Sequence, residues 1–349
     1  MLVLALAAVA IAISGIAPLI LRPLLIKRGV LDVATARSTH TGTAVRGLGI
    51  GVWIAADVVW LLALVRVFQA QDWISLSYGA VLFLVVNAAA GIGMIEDVRG
   101  MSVRLRSVAQ LAIAVLTVWG FTAAELEFGA GSLPAISGSV PVFIAVCVFA
   151  IFYISSYINV ANFMDGINGI SAIHAIIAGL TFTCVGFLVA APWIAIAGII
   201  VASSFAAFLP WNLGGYGFLG DVGSYLLGGS VVSLSFGVLF FYPELWLIAI
   251  SPTVIYFGDV GWTLLRRVRA GEKWYTPHKE HVYQKLQQSG FSHLQVAVIV
   301  GGMTMLAVGL SFLSLLIVSW WWYAILLVLG FGVVVLYMNL PGILKKRAA

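Results

Sequence analysis

The segment that decides the fold reads GSVPVFIAVCVFAIFYISSYI over 138–158, NVANFMDGING over 159–169 and ISAIHAIIAGLTFTCVGFLVA over 170–190. Two apolar runs without a Lys, Arg, Asp or Glu flank a short polar stretch. Each run has the roughly 20 residues that a helix needs to cross the hydrocarbon core of a bilayer. The runs are continuous rather than alternating, so they do not read as strands of a membrane barrel. The expectation is two spanning helices joined by a polar turn at one membrane face.

Outward from this segment the pattern recurs. Apolar runs lie at about 2–21, 48–68, 76–95, 107–123, 138–158, 168–190, 192–209, 222–241, 243–262, 295–318 and 320–341. The fold class expected is all-α: a polytopic integral membrane protein of 10–11 transmembrane helices, eleven by this count. Composition agrees, since 62% of the 349 residues are hydrophobic and only 9% are charged, against about a quarter charged in soluble domains. No single soluble core absorbs that much apolar surface. A cytosolic enzyme, a secreted disulfide scaffold and a disordered chain are excluded. The first run lacks a basic leading region and its charges follow it, which reads as an uncleaved helix rather than a signal peptide. Cys147 and Cys184 fall inside apolar runs and read as small core hydrophobes.

The cations set a direction. With the N-terminus outside, the inner segments are 22–47, 96–106, 159–167, 210–221, 263–294 and the C-terminal tail. They hold 17 of the 18 Lys and Arg residues, leaving only Arg66 on the other side. By the positive-inside rule these segments are cytoplasmic, as is the C-terminus. The net charge of +5 is therefore a topology signal and not one for nucleic acid. Asp72, Glu125, Glu127 and Glu244 fall outside, with Trp320, Trp321 and Trp322 as an interfacial belt. Residues 1–349 read as one domain, with loops at about 22–47, 96–106, 159–167, 210–221 and 263–294 forming its site.

Acidic and amide side chains are costly beside hydrocarbon, so those that persist mark function. Here they gather on the cytoplasmic side: Glu96-Asp97; Asn159, Asn162, Asp165 and Asn168 in the central segment; Asp221 in Gly220-Asp221-Val222-Gly223-Ser224; His278, Lys279 and His281 in Pro277-His278-Lys279-Glu280-His281. Carboxylates with hard oxygen donors suit Mg²⁺, with Mn²⁺ as a substitute, whereas zinc would need clustered Cys or His. Basic residues and glycine turns nearby suit a phosphate-bearing substrate. Each feature also has a structural reading: a solvated helix end for Glu96-Asp97, a turn for Asn168-Gly169, a loop for the Asp221 motif, a cap for His278 and His281, packing for His174, a loop position for His293. Asp259 reads as either a functional carboxylate or the partner of Arg266 or Arg267. A secondary transporter of an anionic or lipid-linked solute is the competing function. Its coupling residues would be expected near the midplane, within repeats, and no repeat is visible. A non-catalytic scaffold leaves three carboxylate motifs on one side unaccounted for.

Taken together, the motifs resemble the polyprenyl-phosphate N-acetylhexosamine-1-phosphate transferases, relatives of phospho-MurNAc-pentapeptide transferase. In chain order the likeness includes Arg37-Ser38-Thr39-His40 with Arg46-Gly47, Glu96-Asp97, Asn162-Phe163-Met164-Asp165-Gly166-Ile167-Asn168-Gly169, Gly220-Asp221-Val222-Gly223-Ser224 and Pro277 through Gln284. The wording of the central motif is closest to the branch that initiates O-antigen and related surface glycans. The resemblance implies transfer of a sugar 1-phosphate from a UDP-sugar to undecaprenyl phosphate, with release of UMP, in a bacterial inner membrane. It implies Mg²⁺ at Asp221 and Asp97, catalytic roles for Asp97, Glu96, Asp165, His278 and His281, and substrate contacts from Arg37, His40, Arg46, Asn159, Asn162, Asn168 and Lys279. It is compatible with a homodimer. Glu96 departs from the family's usual Asp, Asn168 stands where several branches have Asp, and Thr43 to Gly49 is less rich in glycine and proline than usual.

Overall fold

The computed structural model of the chain describes residues 1–33, 43–129, 139–273, 276 and 278–344, with the backbone alone for 31–33 and 43–44. Eleven helical segments among them are long and apolar enough to cross a membrane, as the sequence leads one to expect. They are α1 (Leu2–Lys27), α2 (Gly49–Gln69), α3 (Trp73–Arg99), α4 (Val103–Phe128), α5 (Val140–Met164), α6 (Ile170–Leu188), α7 (Pro192–Leu213) and α8 (Gly220–Phe241), then a broken span Pro243–Arg269, then α12 (His293–Phe312), extended to Leu315 by a 3₁₀ turn, and α13 (Trp320–Ile343). The broken span consists of α9 (Trp246–Ile250) and α10 (Val254–Arg269), joined by a 3₁₀ turn at Ser251–Thr253. A short helix, α11 (Val282–Gln288), follows it. Among the described residues the one addition to the helices is a two-strand ladder, β1 (Leu31–Val33) antiparallel to β2 (Thr43–Val45), with Leu31 opposite Val45. It lies in the segment read as cytoplasmic.

The polar segments at 96–106, 159–167, 210–221 and 263–294 are not loops throughout. Glu96 and Asp97 sit in the last turn of α3, Asn159 and Asn162 in the last two turns of α5, and Asp221 in the first turn of α8. Hydropathy marks where the bilayer ends, whereas a helix satisfies its own backbone and continues into water until a cap stops it. The caps are local. Ser102 accepts from Leu105 N at 3.2 Å to start α4, and Asp72 accepts from Ser75 N at 3.0 Å to start α3.

Helix α8 is the axis of the bundle. Every residue from Val222 to Val238 is buried, so it has no lipid face. Small residues let its neighbours approach closely, as is usual between membrane helices. The same device joins α6 to α7, where a Cβ on Gly198 would fall 2.6 Å from the Gly179 carbonyl oxygen. By contrast α13 buries only Leu326, Val333 and Tyr337. Cys184 is exposed on the outside of the bundle and Cys147 is half-buried. Neither is the core residue expected, because their helices turn those faces outward.

The helix ends are tied together at the cationic end. Leu48 N donates to Phe218 O at 3.0 Å, Phe218 N to Val45 O at 2.8 Å, and Arg22 Nε to Tyr216 O at 3.0 Å. Asn212, buried in the last turn of α7, accepts from Gly169 N at 2.5 Å and donates to Gly217 O at 3.2 Å. These bonds draw the α5–α6 turn, the α7–α8 turn and the segment before α2 into one surface.

Candidate active site

The carboxylates on that surface converge. Asp97 comes from α3 and Asp221 from α8, and Arg46 lies between them. Arg46 Nε donates to Asp97 Oδ1 at 2.8 Å and its Nη2 to Asp221 Oδ2 at 2.8 Å. The other Asp97 oxygen accepts from Val222 N at 2.9 Å, on the first turn of α8. Anionic groups are favoured at such a terminus. Asn162 Nδ2 donates to Asp221 Oδ1 at 2.7 Å and to Ser224 Oγ at 2.9 Å. The Asp97 side chain is nearly sealed at 3% exposure, whereas Asp221 keeps 18% and Arg46 40%. The pair therefore has a dry side against α3 and α8 and a wet side at Arg46.

Around this centre the expected residues fall into three groups. Glu96 pairs with Arg106 of α4 at 3.3 Å, and its second oxygen is buried without a donor. Asn159 Oδ1 is likewise buried without a donor. Asp165 accepts from Ser171 Oγ at 2.6 Å. Burial pushes its carboxyl up to about 8; the Ser171 bond opposes this, while Asp221 and Asp97 reinforce it. Near neutral pH it is thus largely protonated, unlike a free carboxylate. Asn168 presents its backbone N–H to His293 Nδ1 at 3.3 Å, which makes His293 a first-turn residue of α12 with a defined contact rather than a loop position. The calls at Arg37 and His40 lie outside the described residues.

The histidine motif forms a second cluster. The rings of His278 and His281 are 4.9 Å apart, and His278 Nδ1 is buried without a partner. Burial, with the His281, Arg267 and Arg266 charges, lowers His278 to about 4 against the pull of Glu280. Arg266 and Arg267 both donate to the Glu280 carboxylate. Burial alone would raise Glu280, but the two guanidinium groups outweigh it and hold the carboxyl below its usual range. Lys279 lies at the same loop, its carbonyl accepting from Gln288 Nε2 at 3.0 Å. Of the two readings of Asp259, the pairing with Arg266 or Arg267 does not occur. Those arginines are taken by Glu280, and Asp259 binds His281 Nδ1 at 3.0 Å instead. Tyr283 OH donates to Phe163 O at 3.0 Å and ties this cluster to the end of α5. His174, read as a packing residue, accepts or donates at Tyr157 OH at 2.7 Å and stacks on Tyr256 at 3.9 Å.

Asn212 and Ser171 carried no signal in the sequence, whereas Arg106 is one of the three cations that the Glu96-Asp97 helix end is read as balancing. Ser224 carried a signal through its place in the Gly220-Asp221-Val222-Gly223-Ser224 motif.

The donor set fits a hard divalent cation. It is all oxygen, and one of its oxygens, on Glu96, is buried with no hydrogen-bond donor. Among the described residues no three His, Cys, Asp or Glu side chains are grouped so as to hold a metal ion by themselves. Magnesium needs no such group, since it takes one or two carboxylates together with water and substrate phosphates.

Residues 79–238 match the family model described as glycosyl transferase family 4. Over that segment, somewhat under half of its length, the chain is similar to that family. The matched segment contains Glu96, Asp97, Asn159, Asn162, Asp165, Asn168 and Asp221. Similar proteins include one of Bacillus subtilis named as a probable undecaprenyl-phosphate N-acetylglucosaminyl 1-phosphate transferase. It is 24% identical over 84% of this chain and 80% of its own length. The undecaprenyl-phosphate alpha-N-acetylglucosaminyl 1-phosphate transferase of Escherichia coli K12 is 26% identical over 78% of this chain and 73% of its own. The decaprenyl-phosphate N-acetylglucosaminephosphotransferase of Mycobacterium leprae is 27% identical over 69% and 68%. Arg46 and the histidine cluster lie outside the matched segment.

Proposed function

We propose that the chain transfers an N-acetylhexosamine 1-phosphate from a UDP-sugar to undecaprenyl or another polyprenyl phosphate, releasing UMP at the cytoplasmic face of a bacterial inner membrane. The observation that carries this reading is the Asp97–Arg46–Asp221 arrangement at the cationic end of the bundle, where a lipid phosphate and a soluble nucleotide meet. A surface polysaccharide such as O-antigen is the proposed destination, and a homodimer belongs to the same proposal.

In the reaction, an oxygen of the lipid phosphate attacks the β-phosphorus of the UDP-sugar. A new P–O bond forms, and the bond from the β-phosphorus to the bridging oxygen breaks, so UMP departs with that oxygen and its electron pair. Catalysis is mainly positioning and electrostatics. Asp97 and Asp221, with Glu96 beside them, would hold Mg²⁺ or Mn²⁺. When bound, the cation neutralises charge developing on the diphosphate. Arg46 is the wet-side group that exchanges its carboxylate partners for substrate phosphate. Asn162 keeps Asp221 oriented. Asp97 accepts any proton left on the lipid phosphate, a monoester already mostly ionised at pH 7. His281, His278 and Lys279 face the leaving nucleotide as phosphate contacts.

The test is UMP release by purified protein given polyprenyl phosphate and a panel of UDP-GlcNAc, UDP-GalNAc and UDP-FucNAc. Release with at least one donor, dependent on added Mg²⁺, is expected. No release with any of them, alongside lipid-linked solute uptake in vesicles, would favour the transporter reading.

A further inference from the structure

Asp259 is the least exposed carboxylate of the described residues that the proposed mechanism does not use, with 0% of its surface accessible. It lies in α10, inside an apolar span, yet it is surrounded by donors from three other segments. Its Oδ1 accepts from His281 Nδ1 at 3.0 Å and from Val282 N at 3.0 Å. Its Oδ2 accepts from Tyr337 OH at 2.7 Å and from Tyr283 N at 3.3 Å. Thr263 Oγ1, one turn along α10, lies 3.4 Å from Oδ1.

This is an unusual way to start a helix. An N-terminus is ordinarily capped by a side chain of its own first residue. Here Val282 N and Tyr283 N of α11 are capped by a carboxylate more than twenty residues earlier, across the bundle. A capping box between His281 and Gln284 closes the same turn locally, with Gln284 Oε1 accepting from His281 N at 3.2 Å. A carboxylate offers acceptors, so the His281 nitrogen facing it carries the hydrogen. In the neutral imidazole the opposite nitrogen, Nε2, then keeps its lone pair. His281 packs between Phe163 at 6.5 Å and the stacked Tyr283 ring at 5.8 Å. Tyr283 reaches the Phe163 carbonyl, one residue from Asn162, which holds Asp221. The contacts thus run without a break from Asp259 to the paired carboxylates.

We propose that Asp259 is a positioning residue for the transfer reaction: it fixes His281 in the Nδ1–H tautomer and seats the 278–281 loop against the bundle. Tyr337 of α13 is its anchor, fixing the second oxygen so that the first stays aimed at His281. This inference rests on the transferase reading for its effect on turnover, but its effect on the His281 tautomer does not.

The experiment uses the full chain in lipid nanodiscs, with ¹⁵N-labelled histidine and the His281 signals assigned by their loss in H281Q. Nitrogen shifts are measured for wild type, D259N and Y337F, together with kcat and KM for UMP release. Wild type is expected to show a single Nδ1–H tautomer. D259N is expected to show a mixture of tautomers, with kcat lowered about 100-fold and KM for the sugar nucleotide within threefold of wild type. Y337F removes one donor and leaves the volume filled; it is expected to lower kcat several-fold and to broaden the His281 signals. An unchanged His281 spectrum in D259N, or kcat within threefold of wild type, overturns the proposal. Should D259N not fold, an unchanged spectrum and kcat in Y337F overturn it. Wild type inactive with every donor overturns the transferase reading, and the tautomer comparison then still decides whether Asp259 positions His281.

Discussion

Gly93 is the point at which one methyl group tests whether the carboxylate pair is the site. Helix α3 crosses the start of α8 there. A Cβ at Gly93 would lie 2.3 Å from the Asp221 carbonyl oxygen, 2.6 Å from its carbonyl carbon and 2.8 Å from Val222 Cα. Carbon and oxygen rest no closer than about 3.3 Å, and backbone cannot rotate out of the way as a side chain does. In G93A the first turn of α8 must therefore retreat by about 1 Å. That turn carries both Asp221 and the Val222 N–H that holds Asp97. A displacement of this size among aligned reacting groups lowers turnover by about 100-fold. Overpacking costs about 1–3 kcal/mol, of which the better helix propensity of alanine returns about 0.5–1 kcal/mol. The control is G91A, two residues away on the same helix, where an added Cβ meets nothing within 4 Å. UMP release and thermal unfolding in detergent are measured for both. G91A is expected to match wild type in turnover and to be equal or slightly higher in stability. Wild-type turnover in G93A, with an unshifted unfolding midpoint, would refute the placement of α8 against α3 or the role of the aspartates.

The remaining expectations are direct. D97N and D221N should each lower kcat by about 100-fold or more while the protein elutes and melts as a folded species; near-normal turnover in either would remove that residue from the mechanism. N212A strands the Gly169 N–H and the Gly217 carbonyl and should lower stability by about 2–4 kcal/mol, read as an earlier unfolding midpoint; a loss under about 0.5 kcal/mol would mean those groups find other partners. His278 is lowered to about 4, against about 6.5 in an unfolded chain. Between those values the unfolded state binds the extra proton, so stability is intact above pH 6.5 and falls as pH drops toward 4. The half-buried ring is accessible to water, so about 1–2 kcal/mol is expected rather than the full shift. H278Q should lose less stability than wild type between pH 7.5 and 5; an equal loss would assign the acid sensitivity elsewhere.

Much of this was legible in the chain. The eleven spans follow from apolar runs of the right length, because the bilayer leaves a polypeptide little choice but helix. Asp97, Asp221 and Asn162 stood out because a polar group beside hydrocarbon is rare enough to be noticed, and they do meet. Arg46 was expected as a substrate contact, and its two carboxylate partners follow only from the packing of α3 against α8. Asp259 had two readings, a functional carboxylate or a partner of Arg266 or Arg267, and the packing removes the second. Sequence places it near Arg266 and Arg267, but a helix sends those side chains toward Glu280 while Asp259 faces inward. Asn212 gave no signal, since one amide at the end of an apolar run looks the same whether it faces lipid, water or a turn that needs a donor and an acceptor. The helix ends were read too short, because hydropathy records the membrane boundary and the site is built on the turns just beyond it.

The enclosure of α8 has a mechanical consequence. Natural bilayers differ in thickness by several ångströms, and proteins accommodate this by tilting or shifting the helices that touch lipid. In this bundle those are rim helices such as α13, held by few buried residues. The helix bearing Asp221 meets no lipid from Val222 to Val238, and its reactive end is fastened to α3 and α5 by side-chain bonds. Thickness changes are taken up at the circumference while the reacting groups stay in register. A bundle so arranged keeps the geometry of its carboxylate site as the membrane around it is remodelled.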